Sequence, residues 1–139
     1  DIFLLLIIFI ALEFFESSWQ KSDTLYGFLN NNFLLFKKNI FLYFIFHISF
    51  IYSIFVSFYL NNFSFWMSSI FIVKFIDISF KLSIMRKLLN GMSIQEIIPM
   101  NINMSPILRY FNVIVYPLTF LFAIKLYKLI LSFYYYDKM

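Results

Sequence analysis

The chain has no cysteine, two glycines, three prolines and a single histidine among 139 residues. Without cysteine there are no disulfides, thiolate metal sites or cysteine nucleophiles, and the redox compartment stays open. Two glycines are too few for a phosphate-cradling loop or for GxxxG helix packing. One histidine cannot ligate haem from both sides, and it leaves no second imidazole to serve as a catalytic base. Seven acidic residues make a metal-dependent catalytic centre hard to assemble. These gaps point to a chain that is not an enzyme and holds neither cofactor nor metal.

Charge is scarce too. Charged residues make up 13% of the chain and hydrophobic ones 63%, whereas a soluble domain carries roughly 25% charge. A globule this small cannot hide so much apolar surface from water. Lipid is the solvent that fits, so the expectation is an all-α, polytopic integral membrane protein forming a single domain over residues 1–139. Phe, Tyr, Ile, Asn and Lys are the residues of AT-rich codons, and the 22 Phe and 10 Tyr partly reflect that bias. A bacterial or organellar inner membrane is the expected location. The net charge of +4 is spread near segment ends rather than gathered in one block, which argues against nucleic acid.

A membrane helix needs about 20 mostly apolar residues. Four segments qualify, near residues 2–19, 40–60, 63–85 and 107–131. The numbering opens on Asp1, which suggests a missing initiator Met. The run from Ile2 to Leu12 has the length of a signal-peptide core, but it lacks a basic lead and a small-residue cleavage site, so it reads as an uncleaved first span. Residues 22–38 and 92–104 read as short interfacial helices, the first capped by Ser22 or Asp23 and the second opened by the capping box Ser93 to Glu96. Asn61-Asn62 should turn a tight hairpin. Ser105-Pro106 should start the last span, which Pro117 should kink. Lys21, Lys37, Lys38, Arg86, Lys87 and Arg109 cluster around two connections, which places both termini outside; Lys125, Lys128 and Lys138 dissent. A three-span arrangement, with residues 1–20 on the membrane surface, competes.

Within these apolar segments stand charges that lipid penalises. Lys74, Asp77 and Lys81 fall at i, i+3 and i+7, one face of a helix. Glu13 and Glu16 lie at a similar depth, as do His47, Asn112 and Tyr116. One carboxylate cannot neutralise two ammoniums, so a glutamate of the first span is expected to meet Lys74 or Lys81. Such pairs either fix helix register or line a path for ions. Glu16 and Lys81 sit near helix ends and can snorkel to the interface. His47 reads as packing, with proton relay as the alternative. Ser49, Ser53 and Ser57, spaced by four, read as a packing row. Lys37, Lys38, Arg86 and Lys87 are candidates for lipid headgroups.

The function expected first is a non-enzymatic subunit or assembly factor within a larger membrane complex, with membrane lipids and either other subunits or further copies of itself as partners. The alternatives are a small oligomeric transporter or channel for protons or ions, and a lipid-binding membrane protein.

Overall fold

The structure, a computed structural model, describes residues 2–138. Long runs of Leu, Ile and Phe coil into helices, and the breaks fall at Asn, Ser, Thr and Gly. α1 spans Ile2–Gln20, α2 Leu25–Lys38, α3 Ile40–Ile45, α4 Ile48–Tyr59, α5 Phe65–Leu89, α6 Ile94–Ile97, α7 Pro106–Arg109 and α8 Phe111–Lys138. No β-strand occurs among the described residues; Thr24 and Asn103 form an isolated bridge. α1 packs on α8, α8 on α5, α5 on α4 and α4 on α1, closing a ring of four helices. α2 lies across one end, against α3, α5 and α1.

The helix ends follow from local chemistry. Asn61 takes a left-handed φ of 48°, which Asn tolerates better than most residues. Its N–H donates to the Phe58 carbonyl and that of Asn62 to Ser57, the two bonds of a Schellman cap. Gly91, with φ of 97°, closes α5 in the same way, through bonds to the Leu88 and Lys87 carbonyls. α2 starts one to two residues later than expected. Thr24, not Ser22 or Asp23, is its cap, and its hydroxyl accepts from the Gly27 N–H at 3.1 Å.

Three expectations need correction. The single helix expected over 40–60 is two. His47, at φ −100° and ψ 38°, breaks it because its imidazole bonds the Tyr43 carbonyl at 2.8 Å, the acceptor its own backbone N–H would use in a continuous helix. The interfacial helix expected over 92–104 shrinks to the single turn α6. Pro99 disfavours helix at the residue before it, and the chain beyond runs extended onto α2: Leu25 donates to the Ile102 carbonyl and Met104 to that of Asp23. The last long helix begins at Phe111 rather than Ile107. Ser105 does cap a helix with Pro106 in its first turn, but that helix is α7 and stops at Tyr110. α8 then continues through Pro117.

The short turn between α1 and α2 depends on Gly27. A Cβ there would lie 1.9 Å from Ser22 Oγ and 2.8 Å from Ser22 Cβ. Gly27→Ala is therefore expected to destabilise by about 1–3 kcal/mol, the usual range for overpacking, and Ser22→Gly in the same background should restore most of it. Thermal midpoints in detergent give the comparison. An unshifted Gly27→Ala midpoint would contradict this close approach.

Polarity runs opposite to that of a water-soluble bundle. Glu13, Asn32, His47, Ser49, Lys74 and Lys81 are buried, while Phe41, Phe58, Phe65, Phe75, Ile76 and Phe80 are exposed. One apolar cluster, around Phe9, Met67, Ile70 and Phe120, fills one end of the ring. Another, around Leu29, Phe36, Tyr43, Ile84 and Met85, fills the end beneath α2. By length and composition, α1 alone among the described helices is long and apolar enough to cross a membrane. α4 is shorter because of the break at His47, and α5 carries five charges between Lys74 and Lys87.

Candidate functional site

Between the two apolar clusters lie two layers of polar side chains. The first is built on a face of α1. Phe9, Glu13, Glu16 and Gln20 recur at spacings of four, three and four, so they line one stripe, and all four are buried. Lys74, on the inward seam of α5, ion-pairs with Glu13 and lies 3.8 Å from Glu16 Oε2. Its ammonium also donates to Ser49 Oγ at 2.7 Å and sits 4.0 Å from the centre of the Tyr116 ring. α1, α4, α5 and α8 each contribute one wall.

The break at His47 completes this layer. In an unbroken helix the Ser49 N–H would bond within its own backbone. Freed at the start of α4, it donates to Glu16 Oε1 at 3.0 Å. A carboxylate at a helix N-terminus satisfies an orphan donor and meets the positive end of the helix dipole. Ser49, expected as mere packing, is thus part of the charged layer. Ser53 and Ser57 bond back to carbonyls of their own helix.

The layer is enclosed. Glu13 is 0% exposed and Lys74 4%, and none of the cavities described below touches Glu13, Glu16 or Lys74. Two carboxylates surround one ammonium, and Glu13 Oε2 has no hydrogen-bond partner among the described residues.

The second layer joins α1, α2, α3 and α5. Tyr43 Oη donates to Asn32 Oδ1 at 3.0 Å. Asn32 Nδ2 donates to Gln20 Oε1 at 3.2 Å and to the Phe28 carbonyl at 3.0 Å. Lys81 Nζ donates to the same Gln20 Oε1 at 2.8 Å and pairs with Asp77 at 2.8 Å. Asp77 differs from the other partners in that its side chain is 42% exposed. It opens on a cavity of about 280 Å³, whose lining includes Gln20, Lys81, Arg109 and Asn112.

The charged stripe of α5 is therefore divided. Lys74 belongs to the first layer, and Asp77 with Lys81 to the second. Lys81 does not snorkel to a surface; it is buried against Gln20. Nor does Glu16 reach an interface. His47 stays outside both layers, and its ring packs against Trp19 and Tyr43. The carbonyl of Tyr43 can only accept, so Nδ1 carries the proton and Nε2 is a buried acceptor without a hydrogen-bond partner among the described residues. Lys37, Lys38, Arg86 and Lys87 are all exposed, near the end of the bundle that α2 covers. No group of three His, Asp or Glu side chains placed to hold a metal ion occurs among the described residues.

Sequence reasoning missed Gln20, Asn32 and Tyr43. The signal for two of them was present. Gln20 continues the Glu13/Glu16 stripe, and Asn32 sits between Leu29 and Phe36 at helical spacing, the only polar member of the buried face of α2. No family model matches this chain, and no curated protein or solved structure is significantly similar to it.

Proposed function

We propose that this chain is a multi-pass membrane protein acting as a non-enzymatic subunit or assembly factor of a larger membrane complex. The observation that carries the reading is the inverted polarity around an enclosed charged layer. A bundle with ion pairs inside and bare Phe and Ile outside is stable where the surroundings are apolar. In lipid, buried polar contacts give helices a reason to pair that the hydrophobic effect does not supply. The Glu13–Lys74 layer then acts as register, fixing which helices meet. α1, the α3–α4 pair, α5 and α8 are the four spans of this reading, in a bacterial or organellar inner membrane. By the positive-inside rule the basic residues at the α2 end would lie on the inner side, with both termini outside. The exposed aromatic faces of α4 and α5 are where a neighbouring subunit or a second copy would pack.

Native mass spectrometry of the protein, extracted gently from its own membrane, tests this. A hetero-complex is the expected result. A defined homo-oligomer without other chains would reject the subunit reading, and release of the chain by alkaline carbonate would reject membrane integration.

A second reading, a small oligomeric proton or ion transporter, draws on one observation: two carboxylates share one ammonium beside a broken helix. A buried site of net charge −1 is costly, and one proton on the carboxylate pair would neutralise it. Glu13, rather than half-exposed Asp77, is then the proton-binding group. Proton flux in liposomes that Glu13→Gln abolishes would favour this reading. Flux absent from the wild type would dismiss it.

A further inference from the structure

We propose that the groove between the α2–α3 corner and the C-terminal half of α5 binds an anionic phospholipid, with its phosphate on Arg86 and Lys87 and an acyl chain along Phe44 and Leu82. The inference rests on the membrane reading above and adds to it a site and a ligand class.

The open groove offers about 600 Å³, within the range of small-molecule sites. One wall is Phe36, Ile40 and Phe44, spaced by four along the chain. The other is a face of α5 that includes Leu82, Ser83, Arg86 and Lys87. The two walls run antiparallel: Ser49 meets Lys74, while Phe36 and Tyr43, earlier in the chain, cluster with Ile84 and Met85, later in α5. Phe44 therefore lies towards the bundle middle, and Ile40 towards the basic end of α5. The groove grades from apolar inside to cationic at its mouth, as a phospholipid grades from chain to phosphate.

Charge supplies the complement. The ion pairs among the described residues use Lys74, Lys81 and Arg109. Arg86 and Lys87 pair with no carboxylate there, and Lys37 and Lys38, which follow Phe36 directly, are equally unpaired. Ser83 and Asn90 add polar groups beside the two cations. A free phosphate would satisfy the cations and leave Ile40 and Phe44, both about 43% exposed, uncovered. A phospholipid covers both.

The test uses the full chain reconstituted in vesicles of equal parts phosphatidylglycerol and phosphatidylcholine, washed with alkaline carbonate, extracted gently and weighed by native mass spectrometry. The wild type is expected to retain phosphatidylglycerol in preference to phosphatidylcholine. Each basic side chain contributes about fivefold to binding at an anionic surface, so Arg86→Gln with Lys87→Gln should weaken retention about 25-fold. Phe44→Asn should weaken it while leaving the cations in place, and Lys125→Gln, on exposed α8 surface, should not. Equal retention of the two lipids, an unaffected double variant, or displacement by excess inorganic phosphate overturns the lipid site while the membrane reading stands. Loss of the chain in the carbonate wash overturns both.

Discussion

Replacing Lys74 with Met is expected to cost about 3–5 kcal/mol, the range for breaking a buried ion pair by removing one partner. The size follows from what is left behind. Glu13 and Glu16 would face each other across a site closed to solvent, and Ser49 Oγ would lose its ammonium donor. Glu16 would keep the Ser49 N–H, while Glu13 would lose its ionic partner. Glu13→Gln is expected to be much milder, because it removes the surplus negative charge and leaves the lysine with Glu16 and Ser49. Adding Glu13→Gln to Lys74→Met should therefore recover about 2 kcal/mol, the cost of leaving a charged group unpartnered. Unfolding in a mild detergent, followed through Trp19 and Trp66, supplies the numbers. Should Lys74→Met prove too unstable to purify, the yield of the double variant against the single carries the same comparison. Lys81→Met is the internal control. Its partner Asp77 is 42% exposed and can turn to water, so the loss should be clearly smaller. Equal losses at Lys74 and Lys81 would show that the exposure of Asp77 does not soften the loss of its partner.

The sequence made the interior charges visible because lipid-like composition leaves few reasons for a lysine mid-segment. It also suggested the partner, since only the first span offered spare carboxylates. It did not reveal how the charges would be shared. Lys74, Asp77 and Lys81 occupy one helix face, and a face has no depth boundary written into it. What divides them is the position of Ser49 and Gln20 on two other helices. The broken helix was equally hidden. Ile40 to Leu60 contains no glycine or proline, so no propensity marks a stop. His47 breaks the run by a side-chain bond to Tyr43 that competes with the backbone ladder, and the N–H released nearby is taken up by a carboxylate 33 residues upstream. Helix breaks of this tertiary kind are not recorded in local sequence. The roles within the Asn30-Asn31-Asn32 run are hidden for a different reason. Three asparagines look like a surface, yet Asn31 binds the turn after α1 through the carbonyls of Gln20 and Lys21, while Asn32 is 0% exposed.

Asn32 is for that reason the second position where a large effect is expected. Its side chain is the middle of a chain of bonds from Tyr43 to Gln20 to Lys81, tying α3, α2, α1 and α5 together. Asn32→Leu keeps the volume close and removes the amide. Tyr43, fully buried between Phe36 and Trp19, would then hold a hydroxyl with no acceptor. Gln20 Oε1 would still be held by Lys81, so the damage should centre on Tyr43. An orphaned buried hydroxyl costs about 1–3 kcal/mol, and the lost bonds bring the expected total to about 2–4 kcal/mol. Tyr43→Phe alone should cost less, because it removes the donor and leaves Asn32 bonded to Gln20 and Phe28. Combined with Asn32→Leu it should remove the orphan, so that the double variant is at least about 1 kcal/mol more stable than the sum of the singles predicts. Simple additivity would mean that the hydroxyl and the amide are not partners. A shortfall confined to this pair would establish the second layer as a connected unit, one that pins α2 onto α1, α3 and α5.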